Sequence, residues 1–176
     1  MGKHRARAAL AVAIGLTGLL ISGCGFQPMY ATRADGSSVA ATLAGVEVAE
    51  HDTRVGQLVR NALLNNIAPV GQGQPERYRL EFVLTESEFD ISVERNTDVN
   101  RRAYTLSAVY TLIDLSTGKR ILTGDTFSRV SYDRVPSEFA NLQAYRNAIE
   151  RAAREVADNI TTRLGAFFSQ QPGSPV

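Results

Sequence analysis

The chain has 176 residues, of which 44% are hydrophobic and 21% charged. This balance is typical of a globular protein of one domain and excludes a wholly disordered chain. The 19 basic and 18 acidic residues give a net charge of +1, so no overall positive field would draw the chain to nucleic acid. We therefore expect no nucleic-acid partner.

Residues 1–23 have the pattern of an export signal. Lys3, Arg5 and Arg7 precede an uncharged apolar run over residues 8–21. At about 1.5 Å per residue this run reaches only about 21 Å, which is short of the roughly 30 Å hydrocarbon core and argues against a permanent transmembrane helix. Removing residues 1–23 would take away three of the 19 bases and none of the 18 acids, and would leave a net charge of −2.

Cys24 is the single cysteine of the chain, so no internal disulfide can form. The run Leu20-Ile21-Ser22-Gly23-Cys24 resembles the lipobox of bacterial lipoproteins, in which the thiol is alkylated with diacylglycerol and the chain is cut just before it. The alternative is an ordinary export signal with a cysteine placed there by chance. Two or three acyl chains would anchor the chain stably. We expect lipidation at Cys24 and no other cofactor. The residue after the cysteine is Gly25. An aspartate at this position resembles an inner-membrane retention signal in many lipoproteins, so Gly25 favours the outer membrane.

The first half of the exported chain contains few regular elements. Residues 24–38 are rich in glycine and proline without an apolar period, and are interpreted as the lipidated N-terminus and a tether. Residues 46–48 alternate as a short strand. Apolar residues then recur at spacings of three and four between Val55 and Ile67, which predicts an amphipathic helix capped by Asp52 or Thr53.

Three strands are predicted next, because apolar residues occupy alternate positions. The first contains Tyr78, Leu80, Phe82 and Leu84, but its alternation resumes on odd numbers at Phe89 and Ile91, which predicts a bulge or bend near Glu86–Glu88. The second covers residues 104–112. A hairpin turn at residues 116–119 leads to the third, residues 120–132, in which Gly124 is a candidate bulge.

The chain closes with a long amphipathic helix after Pro136 and Ser137. Its apolar positions follow spacings of three and four: Leu142, Tyr145, Ile149, Ala152, Val156, Ile160, Leu164 and Phe167. Residues 169–176 are expected to form a flexible tail. The order β-α-β-β-β-α predicts an α+β domain over residues 39–168, with two helices packed on one face of a four-stranded sheet.

The residues that would support catalysis or metal binding are scarce. His51 is the single histidine beyond the export signal, which excludes a histidine-rich metal site, and we expect it to be a solvated loop residue rather than part of a Ser-His-Asp arrangement. Glu86, Glu88 and Asp90 would share one face of a regular strand. They could form an acid–base pair or ligate a cation, but we favour the alternative that they are the solvent face of a projecting hairpin. We expect no catalytic residue and no metal site.

Three arginines bracket one connection between strands. Arg95, Arg101 and Arg102 concentrate positive charge near a loop tip, and guanidinium groups suit phosphate. The alternative is ordinary edge charge that keeps strands from pairing with neighbours.

Taken together, the sequence resembles the LptE family of lipopolysaccharide-assembly lipoproteins, particularly alphaproteobacterial forms. The similarity lies in the run Cys-Gly-Phe-Gln-Pro-Met-Tyr at residues 24–30, the order of elements, and the run Ser-Glu-Phe-Ala at residues 137–140 that opens the last helix. The resemblance implies a non-enzymatic lipoprotein that lies in the lumen of the outer-membrane β-barrel LptD, assists its assembly and helps to deliver lipopolysaccharide to the cell surface. It also implies that Arg95 contacts lipid phosphate, whereas the second basic position expected near the last helix is not a lysine and Arg134 is the closest substitute. The competing class is an auxiliary lipoprotein of another envelope lipid-transport complex, or a small periplasmic binding module.

Overall fold

The computed structural model describes residues 38–67, 74–92 and 100–171, so the export signal, Cys24 and Arg95 lie outside the described residues. The described elements follow one another in the order α1 (Val39–Ala44), β1 (Val46–Val48), α2 (Arg54–Ile67), β2 (Tyr78–Ser92), β3 (Asn100–Asp114), β4 (Lys119–Arg134) and α3 (Glu138–Gln170). No helix among these residues is long and apolar enough to cross a membrane.

The four strands form one sheet in the order β1-β2-β3-β4. The short β1 lies parallel to the start of β2, with Val46 paired to Tyr78 and Val48 to Leu80. This parallel pair requires a crossover, which α2 supplies. The strands β2, β3 and β4 form an antiparallel meander, and the predicted α+β fold with a four-stranded sheet is confirmed.

The core lies between one face of the sheet and the helices. Even-numbered side chains of the meander are buried there, among them Leu80, Leu106, Tyr110 and Leu112. They pack against the buried faces of α2 and α3, including Val59, Leu63, Val156, Ile160 and Leu164. The period of two in the strands and the spacing of three and four in the helices therefore meet in a single apolar layer. We call the opposite side of the sheet, where the odd-numbered side chains lie, the helix-free face.

The helix starts are capped as their sequences predict. The Thr53 hydroxyl accepts a hydrogen bond from the Gly56 N–H at 3.1 Å, so Thr53 rather than Asp52 caps α2. Ser137 caps α3 by accepting from the Ala140 N–H at 3.4 Å. The short α1 was not expected. Ser38 caps it by accepting from Ala41 N–H at 3.0 Å.

The turn between β3 and β4 is the predicted hairpin. Gly118 has a φ of +67°, a left-handed conformation that glycine adopts without a steric penalty. The carboxylate of Asp114 accepts from the Ser116 N–H at 2.8 Å and from the Ser116 hydroxyl. The hydroxyl bond is the main reason that the pKa of Asp114 lies below its usual value.

Both predicted irregularities in the strands were placed wrongly. The register between β2 and β3 is unbroken from Tyr78 to Asp90, and the shift comes only between Asp90 and Ser92. No bulge exists at Glu86–Glu88. Instead, the apolar side chains change from the helix side to the helix-free face along a regular strand.

Gly124 pairs regularly with Tyr110, and the β4 irregularity lies between the pairs Leu112–Leu122 and Ile113–Arg120. Gly124 is needed for a different reason, because a Cβ there would lie 2.5 Å from the Tyr110 Oη.

The first turn of α3 also differs from its predicted apolar face. Leu142 is exposed, and Asn141 is buried in its place. The Asn141 side chain accepts from the Val135 N–H at 2.8 Å and donates to the Val135 carbonyl at 2.9 Å. These two hydrogen bonds fix the connection between β4 and α3. They explain why the polar Asn141 is buried in the first turn of α3, where the helical period predicts an apolar residue.

Candidate functional site: the ends of the meander and the helix-free face

Arg101 and Arg102 lie at the start of β3 and point to opposite faces of the sheet, as successive strand residues must. On the helix-free face, Arg101 Nε donates to Asp133 Oδ1 at 2.9 Å. This hydrogen bond is the main reason that the pKa of Asp133 lies below its usual value. The Arg101 side chain remains 59% exposed, which leaves part of the guanidinium open to solvent.

Arg102 lies on the helix side of the sheet among carboxylates. Its Nε donates to Asp90 Oδ1 at 2.7 Å and its Nη1 lies 3.2 Å from Glu88 Oε1. The structure therefore does not bring Arg101 and Arg102 together into one cationic site, and it describes no position for Arg95.

The three carboxylates of β2 do share a face, as a regular strand requires. We call Glu86, Glu88 and Asp90 the acidic row. The Tyr104 hydroxyl donates to Glu86 Oε2 at 2.7 Å, and the Tyr132 hydroxyl donates to Glu88. Every carboxylate of the row thus has a cross-strand partner, and no group of three or more His, Cys, Asp or Glu side chains in the described residues is arranged to hold a metal.

The tyrosines that meet the acidic row are the residues that sequence reasoning missed. Tyr145 on α3 packs edge-on against Tyr104, with ring centroids 5.9 Å apart, and also contacts Tyr132 at 5.9 Å. Burial, followed by the hydrogen bond to Glu88, raises the pKa of Tyr132 to about 12. The same two causes, with Glu86 as acceptor, raise the pKa of Tyr104 well above its usual value. All three phenols are consequently neutral donors or packing groups near neutral pH.

The helix-free face carries exposed apolar side chains. Val83 pairs directly with Val109, and Phe127 lies on the next strand, opposite Ser107. Val83, Val109 and Phe127 are 70%, 55% and 60% exposed, respectively. Further along the same face, the Arg129 guanidinium lies over the Phe89 ring, 5.1 Å from its centroid. The odd-numbered positions of these residues were the available signal for a second apolar face.

His51 lies in the loop between β1 and α2, as expected, and is half-buried there. Its ring stacks on Phe82 with centroids 5.2 Å apart and planes 13° apart, and its Nδ1 lies 3.3 Å from the Thr53 N–H. Gly56 lies so close that a Cβ there would overlap the ring. The imidazole therefore packs the junction between β1 and α2. A shallow polar pocket beside it is lined by charged and amide side chains of the same segment: Glu50, Asp52, Gln57, Arg60 and Asn61.

Comparison with known proteins assigns the fold to a family. The model of the lipopolysaccharide-assembly family LptE matches residues 40–164, more than two thirds of the chain. The chain belongs to the LptE family. The matched range runs from α1 to the last buried turns of α3, so it includes every element of the sandwich. The predicted family resemblance is therefore confirmed, and the chain is a lipopolysaccharide-assembly lipoprotein.

Solved structures resemble this member of the LptE family to different degrees. A candidate lipoprotein from Caulobacter crescentus CB15 is 25% identical, with a TM-score of 0.64, and the match covers 76% of this chain and 97% of that one. The rare lipoprotein B from Shewanella oneidensis is 14% identical, covering 70% and 94% of the two chains with a TM-score of 0.49. A minor lipoprotein from Acinetobacter baumannii is 15% identical, covering 74% and 94% with a TM-score of 0.48. No curated protein sequence is significantly similar to the chain.

Proposed function

We propose that this LptE-family chain is an outer-membrane lipoprotein, anchored by a lipid on Cys24, that occupies the lumen of the LptD β-barrel. There it would assist assembly of the barrel and delivery of lipopolysaccharide to the cell surface. The role is one of binding and not of catalysis, and the lipid is the single covalent group that it requires. The family match over residues 40–164 supports the role in lipopolysaccharide assembly.

The exposed helix-free face is the observation that carries the barrel proposal. Val83, Val109 and Phe127 are more than half exposed, and no helix or strand of residues 38–67, 74–92 and 100–171 covers them. Large exposed apolar side chains grouped on one face mark an interaction surface. Hydroxyl groups of Ser107 and Thr85 lie between them on the same face. Such a mixed surface suits the largely polar interior of a large barrel.

We propose that the phosphate of lipopolysaccharide binds at the end of the meander where β2 leads into β3. Arg95 belongs to the connecting segment and Arg101 follows it, with its guanidinium partly open to solvent. Arg134 lies at the same end, paired with Asn100 in the register and 3.6 Å from Glu138. Arg102 is turned toward the helix side, so we propose that it contributes to this site less than Arg95 and Arg101.

The barrel proposal is tested by recovering the tagged lipoprotein from outer membranes in mild detergent. LptD is expected in stoichiometric amount with the wild-type chain. Val109→Asp should reduce this recovery about tenfold, because a carboxylate would be buried without a partner in the interface. Leu142→Asp is the matched control, because Leu142 is also exposed but lies on α3, in the helix layer.

Three results would contradict the proposal. Equal loss of LptD in both variants would mean that the helix-free face is not the contact surface. Recovery of an inner-membrane transport complex in place of LptD would instead favour an auxiliary subunit of another lipid transporter. Depletion of the lipoprotein without any fall in assembled LptD would argue against a role in barrel assembly.

A further inference from the structure

The part of β2 that follows Leu80 has an unpaired edge among the described residues. β1 pairs only with Tyr78, Arg79 and Leu80, and its last backbone bond runs from Ala49 N–H to the Leu80 carbonyl at 3.0 Å. β2 then continues to Ser92 with β3 on its other side. In the described parts of the chain, no strand pairs with this side of β2 beyond the end of β1.

The direction of the backbone groups along this edge follows from two hydrogen bonds. The Leu80 carbonyl faces β1, whereas the Arg77 carbonyl accepts from the Leu115 N–H, which follows β3, at 2.9 Å. Backbone groups of successive residues alternate in direction along a strand. Because the register with β3 is unbroken to Asp90, five residues beyond the end of β1 direct both N–H and C=O to the open edge: Phe82, Leu84, Glu86, Glu88 and Asp90.

This edge lacks two common protections. Exposed edges are often blunted by proline or by a bulge, and β2 contains no proline and no register shift before Asp90. The other long edge differs, because Arg151 Nη2 on α3 donates to the Ser131 carbonyl of β4 at 3.4 Å. The β2 edge is therefore the better template for an added strand.

The side chains beside the edge determine which strand fits. On the helix side, three carboxylates of the acidic row share one counter-charge among the described side chains, that of Arg102. On the helix-free face, Val83 and Phe89 are 70% and 42% exposed. A neighbouring strand places its side chains directly opposite those of β2, where opposite charges and apolar pairs stabilise the sheet. The complement is a strand in which Lys or Arg alternates with apolar residues.

We propose that the edge of β2 from Leu84 to Asp90 binds an extended segment of a partner protein by strand addition, with basic side chains on the acidic row and apolar side chains on the helix-free face. The proposal adds a binding mode to the function proposed above and does not depend on the identity of the barrel. Strand addition obtains affinity from main-chain hydrogen bonds and specificity from alternate side chains.

Two other occupants fit less well. A second copy pairing through β2 would place one acidic row beside another, and like charges directly opposite destabilise a sheet. The chain's own residues 24–37 contain one base, Arg33, and one acid, Asp35, and so do not supply alternating positive charge.

The proposal is tested with two synthetic peptides of equal length, one alternating Lys with Val and the other alternating Glu with Val. The full-length chain in mild detergent is titrated with each, and affinity is measured by fluorescence anisotropy. The lysine peptide should bind at least about tenfold more tightly, and added salt should weaken it. The double variant E86Q/E88Q removes two charges and leaves Asp90 to pair with Arg102, so it should lose most of this preference. E76Q/E81Q is the matched control, since it changes the net charge equally away from the row.

Amide hydrogen exchange supplies the readout for main-chain pairing. The lysine peptide should protect the edge-facing amides of Leu84, Glu86 and Glu88, and should leave Thr85 and Ser87 unchanged because they already face β3. Equal affinity for both peptides would overturn the proposal that basic side chains bind the acidic row. An equal loss of the preference for the lysine peptide in both double variants would overturn it as well. Binding without the alternating protection would overturn strand addition. A concentration-dependent dimer of the chain alone, with the same amides protected, would assign the edge to a second copy.

Discussion

Replacing Gly124 by alanine tests how tightly the meander packs under the helices. The new Cβ would lie 2.5 Å from the Oη and 2.7 Å from the Cζ of Tyr110. Tyr110 is 1% exposed, so its ring would have to shift within the core. Overpacking of a core typically destabilises by about 1–3 kcal/mol. The smaller conformational freedom of the unfolded chain offsets about 0.4–1 kcal/mol of this. The central values of these two ranges leave a net loss of about 1.3 kcal/mol, and we expect a fall in melting temperature of about 3–6 °C.

Gly118 provides the matched control, because its requirement has a different origin. No atom lies within 4 Å of a Cβ built there, but its φ of +67° disfavours a side chain. Gly118→Ala should destabilise by about 1 kcal/mol, whereas Gly118→Asn should be nearly neutral because asparagine tolerates the left-handed region. At position 124, asparagine should be worse than alanine. Urea unfolding of the four variants separates the two cases, and a Gly124→Ala variant as stable as wild type would refute the packing argument.

Three further predictions concern anchoring, lipid binding and alkaline stability. Cys24→Ala should abolish metabolic lipid labelling and membrane partitioning, and unchanged fractionation without a barrel partner would contradict lipidation. Arg101→Glu should weaken lipopolysaccharide binding at least about tenfold if the guanidinium binds phosphate. Asp133→Asn releases Arg101 from its ion pair and should not weaken binding. Equal affinities of wild type and Arg101→Glu in a titration would contradict the phosphate hypothesis. Because burial raises the pKa of Tyr132 to about 12 and that of Tyr104 further, the folded state holds both protons more tightly than the unfolded state, so their contribution is complete below about pH 10 and is lost as the pH rises toward 12. Tyr132→Phe should flatten this alkaline loss in denaturant unfolding, and an unaltered profile would contradict the assignment.

The α+β fold was predictable because its elements obey simple periods. The alternation in Tyr104–Leu112 and the spacing of three and four in α3 each bury one face, and both were assigned correctly except at Leu142. The alternation of apolar residues gave a wrong prediction where the apolar side chains move to the other face of the sheet while the strand pairing continues unchanged. In β2 the odd-numbered Phe89 and Ile91 predicted a bulge near Glu86–Glu88, but the pairing with β3 continues unbroken to Asp90. Tyrosines and an arginine from neighbouring strands bind the acidic row there.

The site was less predictable, since it depends on contacts between strands. Arg101 and Arg102 are adjacent in sequence and were grouped as one cationic cluster, yet residues adjacent in a strand point to opposite faces. Their carboxylate partners lie 12 or more positions away, in β2 and β4. Sequence period alone does not give the register that brings Asp133 opposite Arg101.

The position of α3 after every strand of the sheet has a consequence for biosynthesis. This 33-residue helix supplies much of the cover for the buried sides of β3, β4 and α2. The N-terminal part is made first, so the strands of the meander exist with only α1 and α2 to cover their apolar side. The growing chain must therefore be shielded from aggregation until α3 has been made. A nonsense mutation within α3 should yield a product that is degraded, even though every strand of the sheet has already been synthesised.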